Sequence, residues 1–308
     1  MKKVLSLVLA LVLVLSMSAA FAEGLKIAYA PTTMNNAFWL ALMEPIAAEV
    51  EARGDILVTI DPQNDQGRMN DQIGDLIADD VDVILIAPCD STACETALQA
   101  CKDAGIPVVN FDTPVTNKEL VATIIASDNY NAGVEVAKDM MAKLPEGSKV
   151  AVMHSPAGGA CIDRANGFYD TIGGKEGGFF EIVVELDGKG DTGVTLPLAE
   201  DVLMGTPDLG AFFCVNDPSA MGAVNALAAH PEMKVLVYGV DGNPDAKTLI
   251  QGGQMTGTGA QSPKTIGQYS IEAAYKLLAG EEVEANIVVP TFIINADNVA
   301  TYGTDGWQ

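Results

Sequence analysis

Histidine is almost missing from this chain: 308 residues hold two, His154 and His230. No Cys/His spacing matches a zinc site, so a metal centre of that kind is not expected. Basic residues are scarce too, 17 Lys and Arg against 41 Asp and Glu, for a formal charge of −24. Such a chain repels phosphate backbones, so nucleic acid is a poor partner, and the acidity reads as a solvated surface. The five cysteines are Cys89, Cys94, Cys101, Cys161 and Cys214. Their odd number leaves at least one unpaired within the chain. Cys94 and Cys101 share one face of an expected helix and do not readily bridge along it, so the set reads as small buried hydrophobes. A Gly-x-Ser-x-Gly elbow and a phosphate loop are both lacking. The run DPQNDQGRMNDQ, residues 61–72, has no Gly at its sixth position and no acid at its twelfth, which rejects a calcium loop.

What is present begins with a leader. Lys2 and Lys3 precede an apolar run from Val4 to Leu15, and Ala20-Phe21-Ala22 follows. This is the pattern of a secretory signal peptide over residues 1–22, cleaved after Ala22. The run falls short of the ~20 residues that span a bilayer. No cysteine follows the cleavage position, so the expected product is an exported periplasmic protein and not a lipoprotein. No later stretch is long and apolar enough to span. Residues 23–308 suffice for one large domain or two moderate ones.

Apolar runs then alternate with amphipathic ones. Strands are expected over 25–30, 56–61, 81–88, 106–112, 122–127, 149–155, 181–186, 210–216, 234–241 and 255–260. Helical stretches include 36–53, 91–104, 130–143, 218–229 and 262–279. Many strands are near-continuous Val, Ile, Leu and Phe, as strands buried on both faces are. The rhythm is that of an α/β fold with parallel sheets flanked by helices. Residues 83–112 and 209–241 also resemble each other: each is a buried strand, Asp and Ser, an alanine-rich helix, and a strand ending in Asp. Any βαβ unit shares some of this, but the likeness suggests two related lobes, with residues 124–129 as one crossing.

Ligands of open parallel sheets bind beyond the carboxyl ends of the strands. The residues expected there are Asn35, Asn36, Phe38 and Trp39, then Asp112, Arg164, Asn216 with Asp217, Asp241 and Gln261. Carboxylates and amides engage neighbouring hydroxyls, and Arg supplies a fixed fork of donors. The set suits a neutral polyhydroxylated ligand better than an anion. Plainer roles compete: an Asn as N-cap, Asp217 as a helix cap, Asp112 and Asp241 as turn formers, and Trp39, Met43, Ile46 and Val50 as a buried helical stripe. Asp112 and Asp241 could also serve as a glycosidase pair, but Arg164 and the amides favour two ionised acceptors over one raised-pKa acid.

These segments are similar to those of periplasmic sugar-binding proteins of the ribose/galactose type, the substrate-binding components of ABC importers. The likeness covers nearly all of the exported chain and rests on TMNNAFW, ILIAPCDS, IPVVNFD, IASDN, DRANGF, FFCVNDPSAMGA, VYGVDGNPD and MTGTGAQSPKTIG. It implies two Rossmann-like lobes joined by three hinge crossings near 127, 261 and 290: residues 25–127 with 262–290, and 128–261 with 291–308. It also implies a monomer without cofactor or catalysis that closes on a monosaccharide or polyol and meets an ABC permease, or reports to a chemoreceptor or sensor kinase. Positions matching the family's ligand contacts are Asn36, Phe38, Trp39, Asp112, Arg164, Asn216, Asp241 and Gln261, with Thr113 where ribose binders carry Arg. Ala87 stands where they have an amide, and Gly190 near where they have a ring. Asn36 is then expected to grip hydroxyls and Asn35 to cap the helix. Trp307, near the end of the sequence, is expected to be mobile. The departures point away from ribose, toward a hexose, a deoxy-sugar, a polyol or a small glycoside.

Overall fold

A computed structural model describes residues 24–156 and 158–308; the expected signal peptide lies outside them. Two six-stranded sheets organise the chain. The first contains β1 (Lys26–Ala30), β2 (Ile56–Thr59), β3 (Val83–Ile86), β4 (Val108–Phe111), β5 (Thr123–Ser127) and β11 (Asn286–Val289). Its order is β11-β5-β4-β3-β1-β2, and every pairing is parallel. The second contains β6 (Lys149–His154), β7 (Glu181–Asp187), β8 (Leu209–Cys214), β9 (Leu236–Asp241), β10 (Gly257–Ala260) and β12 (Phe292–Asn295). Its order is β12-β10-β9-β8-β6-β7, parallel except for β12, which runs against β10. The two likened segments, β3 to β4 and β8 to β9, hold the same places in the two sheets.

Helices cover the faces in the order α1 (Ala37–Arg53), α2 (Gln66–Ala78), α3 (Glu95–Ala104), α4 (Asn129–Lys143), α5 (Gly159–Ile172), α6 (Thr192–Gly205), α7 (Asp217–Leu227), α8 (Pro244–Gln251), α9 (Pro263–Leu278) and a last short turn, α10 (Val299–Tyr302). Each sheet is buried on both sides: Ile27, Tyr29, Val83, Leu85, Val109 and Phe111 pack on one face of the first, and Ala28, Ala30, Ile84, Ile86 and Val108 on the other. Double burial explains why β3 reads as unbroken Val-Ile-Leu-Ile. Residues 66–72, within the rejected calcium loop, are the start of α2, whose N-cap Asp65 accepts from Arg68 N at 3.0 Å. No disulfide joins the cysteines; Cys94, Cys101 and Cys214 are buried.

The chain passes between the sheets three times: at Asp128 after β5, at Gln261–Ser262 after β10, and at Pro290–Thr291 between β11 and β12. The carboxyl ends of both sets of parallel strands therefore open toward one another, and the helices that follow β1, β6 and β8 start there.

Candidate functional site

Helix α1 begins at the mouth of the first sheet. Asn36 is extended (φ −142°, ψ 129°) and its side-chain oxygen accepts from Phe38 N at 2.9 Å. The expected division between the two amides is thus corrected: Asn36 is the N-cap, because it holds the last extended residue before the helix, while Asn35 is exposed. Asn36 Nδ2 has no partner among the described residues. Trp39 is only 7 % exposed and packs against Phe111 with ring centroids 6.1 Å apart, so it is largely core as well as wall. Its carbonyl accepts from Tyr29 Oη at 2.8 Å.

Asp112 follows β4 in a left-handed conformation (φ 57°). Buried Asn110 shapes that turn: its Nδ2 donates to Ile86 O and Thr113 O, and its Oδ1 accepts from Val115 N. Asp241 ends β9 with φ 144°, again unusual for a residue with a side chain. Backbone costs of this kind persist only where the surroundings hold them. Here both carboxylates stand at equivalent strand ends of the two sheets.

Arg164 on α5 is 5 % exposed. Nε donates to Asn129 Oδ1 at 2.8 Å, and Nη1 to Val215 O at 2.9 Å and Asp241 Oδ1 at 3.1 Å. Nη2 is left without a partner among the described residues. Its reach depends on α4 and α5 lying almost backbone to backbone. Gly133 faces Arg164 O and Gly167 faces Tyr130 O, with no room for a Cβ on either. Gln261 Nε2 donates to Asp241 Oδ1 at 2.9 Å, while its own Oε1 is buried and unpartnered.

Asn216, extended at φ −151°, caps α7 by accepting from Ser219 N at 3.0 Å, and its Nδ2 donates to Gly190 O. Asp217 is therefore not the cap that sequence reasoning favoured. It is the first helical residue, fully buried, and accepts from Thr258 Oγ1 at 2.7 Å and Asn243 N at 2.8 Å.

One cavity of about 480 Å³ gathers eight of the nine expected residues. Asn36, Phe38, Trp39 and Asp112 line it from the first lobe; Arg164, Asn216 and Asp241 from the second; Gln261 from a crossing. Thr113, the ninth, is not on the wall: its hydroxyl donates to Asp112 Oδ2 at 3.0 Å. Ala87 is buried in the first lobe's core and Gly190 is on the wall, so of the three departures only Gly190 opens on the cavity. Sequence reasoning missed Asn129, Asn243 and Trp307. Trp307 lines the cavity and meets Phe38 edge to face at 5.6 Å, a placement that its position in the sequence did not announce.

Burial governs the charges. It pushes the Asp112 carboxyl up to about 6, with Thr113 and Arg164 pulling it back. Burial also raises Asp241 and Asp217, and each of these carboxylates faces the other. At both cleft carboxylates desolvation outweighs the guanidinium, so each is raised above its ordinary value. One Arg against three carboxylates leaves no net positive charge to hold an anion.

Residues 27–282 match the family described as a periplasmic binding protein domain. The ribose import binding protein of Bacillus subtilis (strain 168) is 34% identical over 88% of this chain and 86% of its own length. An ABC transporter solute-binding protein from Mycobacterium smegmatis, solved with glycerol, superposes with a TM-score of 0.84 at 29% identity, covering 92% of this chain and 99% of that one. One from Agrobacterium vitis, solved with D-fucose, gives 0.81 at 27% identity over 89% and 96%. The fold and the cleft define a two-lobed solute-binding protein. This chain belongs to the periplasmic binding protein family, whose members capture solutes rather than transform them.

Proposed function

We propose that the protein is an extracytoplasmic receptor that captures a neutral sugar or polyol in the cavity between its lobes and delivers it to an ABC importer. The observation that carries this reading is the lining itself. Asp112 and Asp241 offer acceptors, Arg164 Nη2 and Asn36 Nδ2 offer donors, and Phe38, Trp39 and Trp307 offer apolar faces. Vicinal hydroxyls both donate and accept, and the C–H faces of a sugar ring suit aromatic walls. A volume of about 480 Å³ lies within the ~300–1,000 Å³ usual for small-molecule sites. The names of similar proteins, which include ribose and D-allose binders, support the same ligand class.

In this reading residues 25–127 with 262–290 form one lobe, 128–261 with 291–308 the other, and the three connections act as hinges. Closure hides the ligand and presents a surface to the permease. Gly190 puts no side chain on the cavity wall, which favours a ligand other than ribose: a hexose, a deoxy-sugar, a polyol or a small glycoside. A thermal-shift screen of the exported form against sugars and polyols tests the function. A ligand at 100 times its dissociation constant stabilises by about 2.7 kcal/mol. Absence of any shift across the screen would end this reading. In a competition series, ribose binding tighter than every larger candidate would end the preference against it.

A further inference from the structure

The segment after α10, Gly303–Gln308, carries Trp307 to the wall of the site described above. Lys247 on α8 is fully buried, an unusual place for an ammonium. Its Nζ donates to Gly306 O at 2.6 Å and to Gln308 Oε1 at 3.2 Å. Gln308 Nε2 in turn donates to the carbonyls of Asp241 and Gln261, the ends of two strands that bound the cavity. The carbonyls of Asp241 and Gln261 and a buried cation thus pin the tail beneath the cleft. Gly242, at φ 76°, leaves the tail its seat, since a Cβ there would collide with the Gln308 amide.

Pinned in this way, Trp307 is carried by the second lobe but touches a ring of the first. Phe38 meets it at an interplanar angle of 80° and meets Trp39 at 86°. The three rings form a corner, not a parallel sandwich. Gly190, which also lines the cavity, has φ 65°, and a Cβ there would lie 2.8 Å from Asn216 Nδ2. Among the described residues, Trp307 is the one ring that the second lobe puts on the cavity wall, beside Pro218 and Pro244.

We propose that Trp307 is a ligand-contacting, specificity-determining residue, and that the Lys247–Gln308 clasp exists to hold its indole against the sugar. The inference rests on the sugar-binding reading. Trp307 covers a C–H face of the ligand while Phe38 meets an edge, which favours a ring with one apolar face over a flexible polyol. Removing a tryptophan from the centre of a desolvated site costs about 2 kcal/mol or more, roughly thirtyfold in affinity.

The test uses the exported protein, calorimetry, and a panel of D-ribose, D-allose, D-galactose, D-fucose, myo-inositol and glycerol. Trp307→Ala is expected to weaken the tightest of these roughly thirtyfold and to narrow the range across the panel, with the ligand-free thermal midpoint unmoved. Trp307→Phe is expected to restore most of the loss. Lys247→Met is expected to mimic Trp307→Ala, and the double variant to lose no more than either alone. In Trp39→Phe, where Trp307 is the one remaining indole, the tightest sugar is expected to change the emission. Wild-type affinity and ranking in Trp307→Ala would overturn the inference and leave sugar binding intact. Wild-type protein that binds none of the panel would remove the sugar-binding reading and this inference with it.

Discussion

Asp241 accepts from Arg164 and Gln261 on one oxygen, and its other oxygen faces Asp217 N at 3.3 Å. Asp112 spends only one oxygen, on Thr113. Asp112 is thus the freer acceptor, and Asp241 the better anchored one. Charge-assisted hydrogen bonds contribute about 1.5–3 kcal/mol each, roughly 10- to 150-fold in affinity. Asp112→Asn and Asp241→Asn are each expected to weaken the tightest sugar by that order in calorimetry, with circular dichroism unchanged. Unaltered affinity in both would remove them from the site. The chemistry of these positions was legible because strand ends can be counted in the sequence. Which neighbour does which task was not. Asn35 and Asn36 are chemically identical, and only the backbone angles decide that Asn36 caps. Asn216 displaces Asp217 from its cap for the same reason, which frees that carboxylate to bury itself against Thr258.

At the scale of elements, ten strands were visible as apolar runs bounded by turns. β11 and β12 were not. Each is four residues long, each lies at the outer edge of its sheet, and Pro290 falls between them, so neither shows the doubly buried pattern of β3 or β4. The tail was illegible for a different reason: Lys247 reaches a carbonyl 59 positions away, and no local pattern announces such a contact. The contact between α4 and α5 was likewise hidden, because glycine in a helix reads locally only as a weak point. In the fold it is what brings Arg164 to the cavity. Gly167→Val is expected to push the helices apart and to destabilise by about 1–3 kcal/mol, as overpacking does. It should also weaken sugar binding, since α5 carries Arg164. Urea titration with calorimetry reads both effects. A stable variant with unchanged affinity would show that the close approach does not position the guanidinium.

At the scale of the molecule, two sheets of the same strand order turn equivalent ends toward one cleft, and each delivers a carboxylate on a backbone of positive φ. Binding a neutral ligand there is therefore tied to protons. Asp112 titrates near 6 in the folded chain against an ordinary 3.8, with burial as the main cause. Its folded pKa is raised, so between those two values the folded state holds more protons than the unfolded one. Ligand-free stability should rise as pH falls from about 6 toward 4, as far as this group contributes. The bound state runs the other way: a carboxylate that accepts from sugar hydroxyls must lose its proton. If binding requires ionised Asp112, affinity should fall about tenfold between pH 7 and pH 5. The thermal shift produced by a fixed sugar concentration should therefore shrink in acid even while the ligand-free midpoint climbs. General relief of the chain's excess negative charge also favours the folded chain in acid, but it leaves the sugar-induced shift alone. Asp112→Asn isolates the group: in that variant the shift should be smaller at pH 7 and less dependent on pH. Calorimetry in two buffers of different ionisation enthalpy at pH 6 should report proton release on binding by wild type. A pH-independent affinity, or no release, would show that the ligand does not take its hydrogen bonds from ionised Asp112.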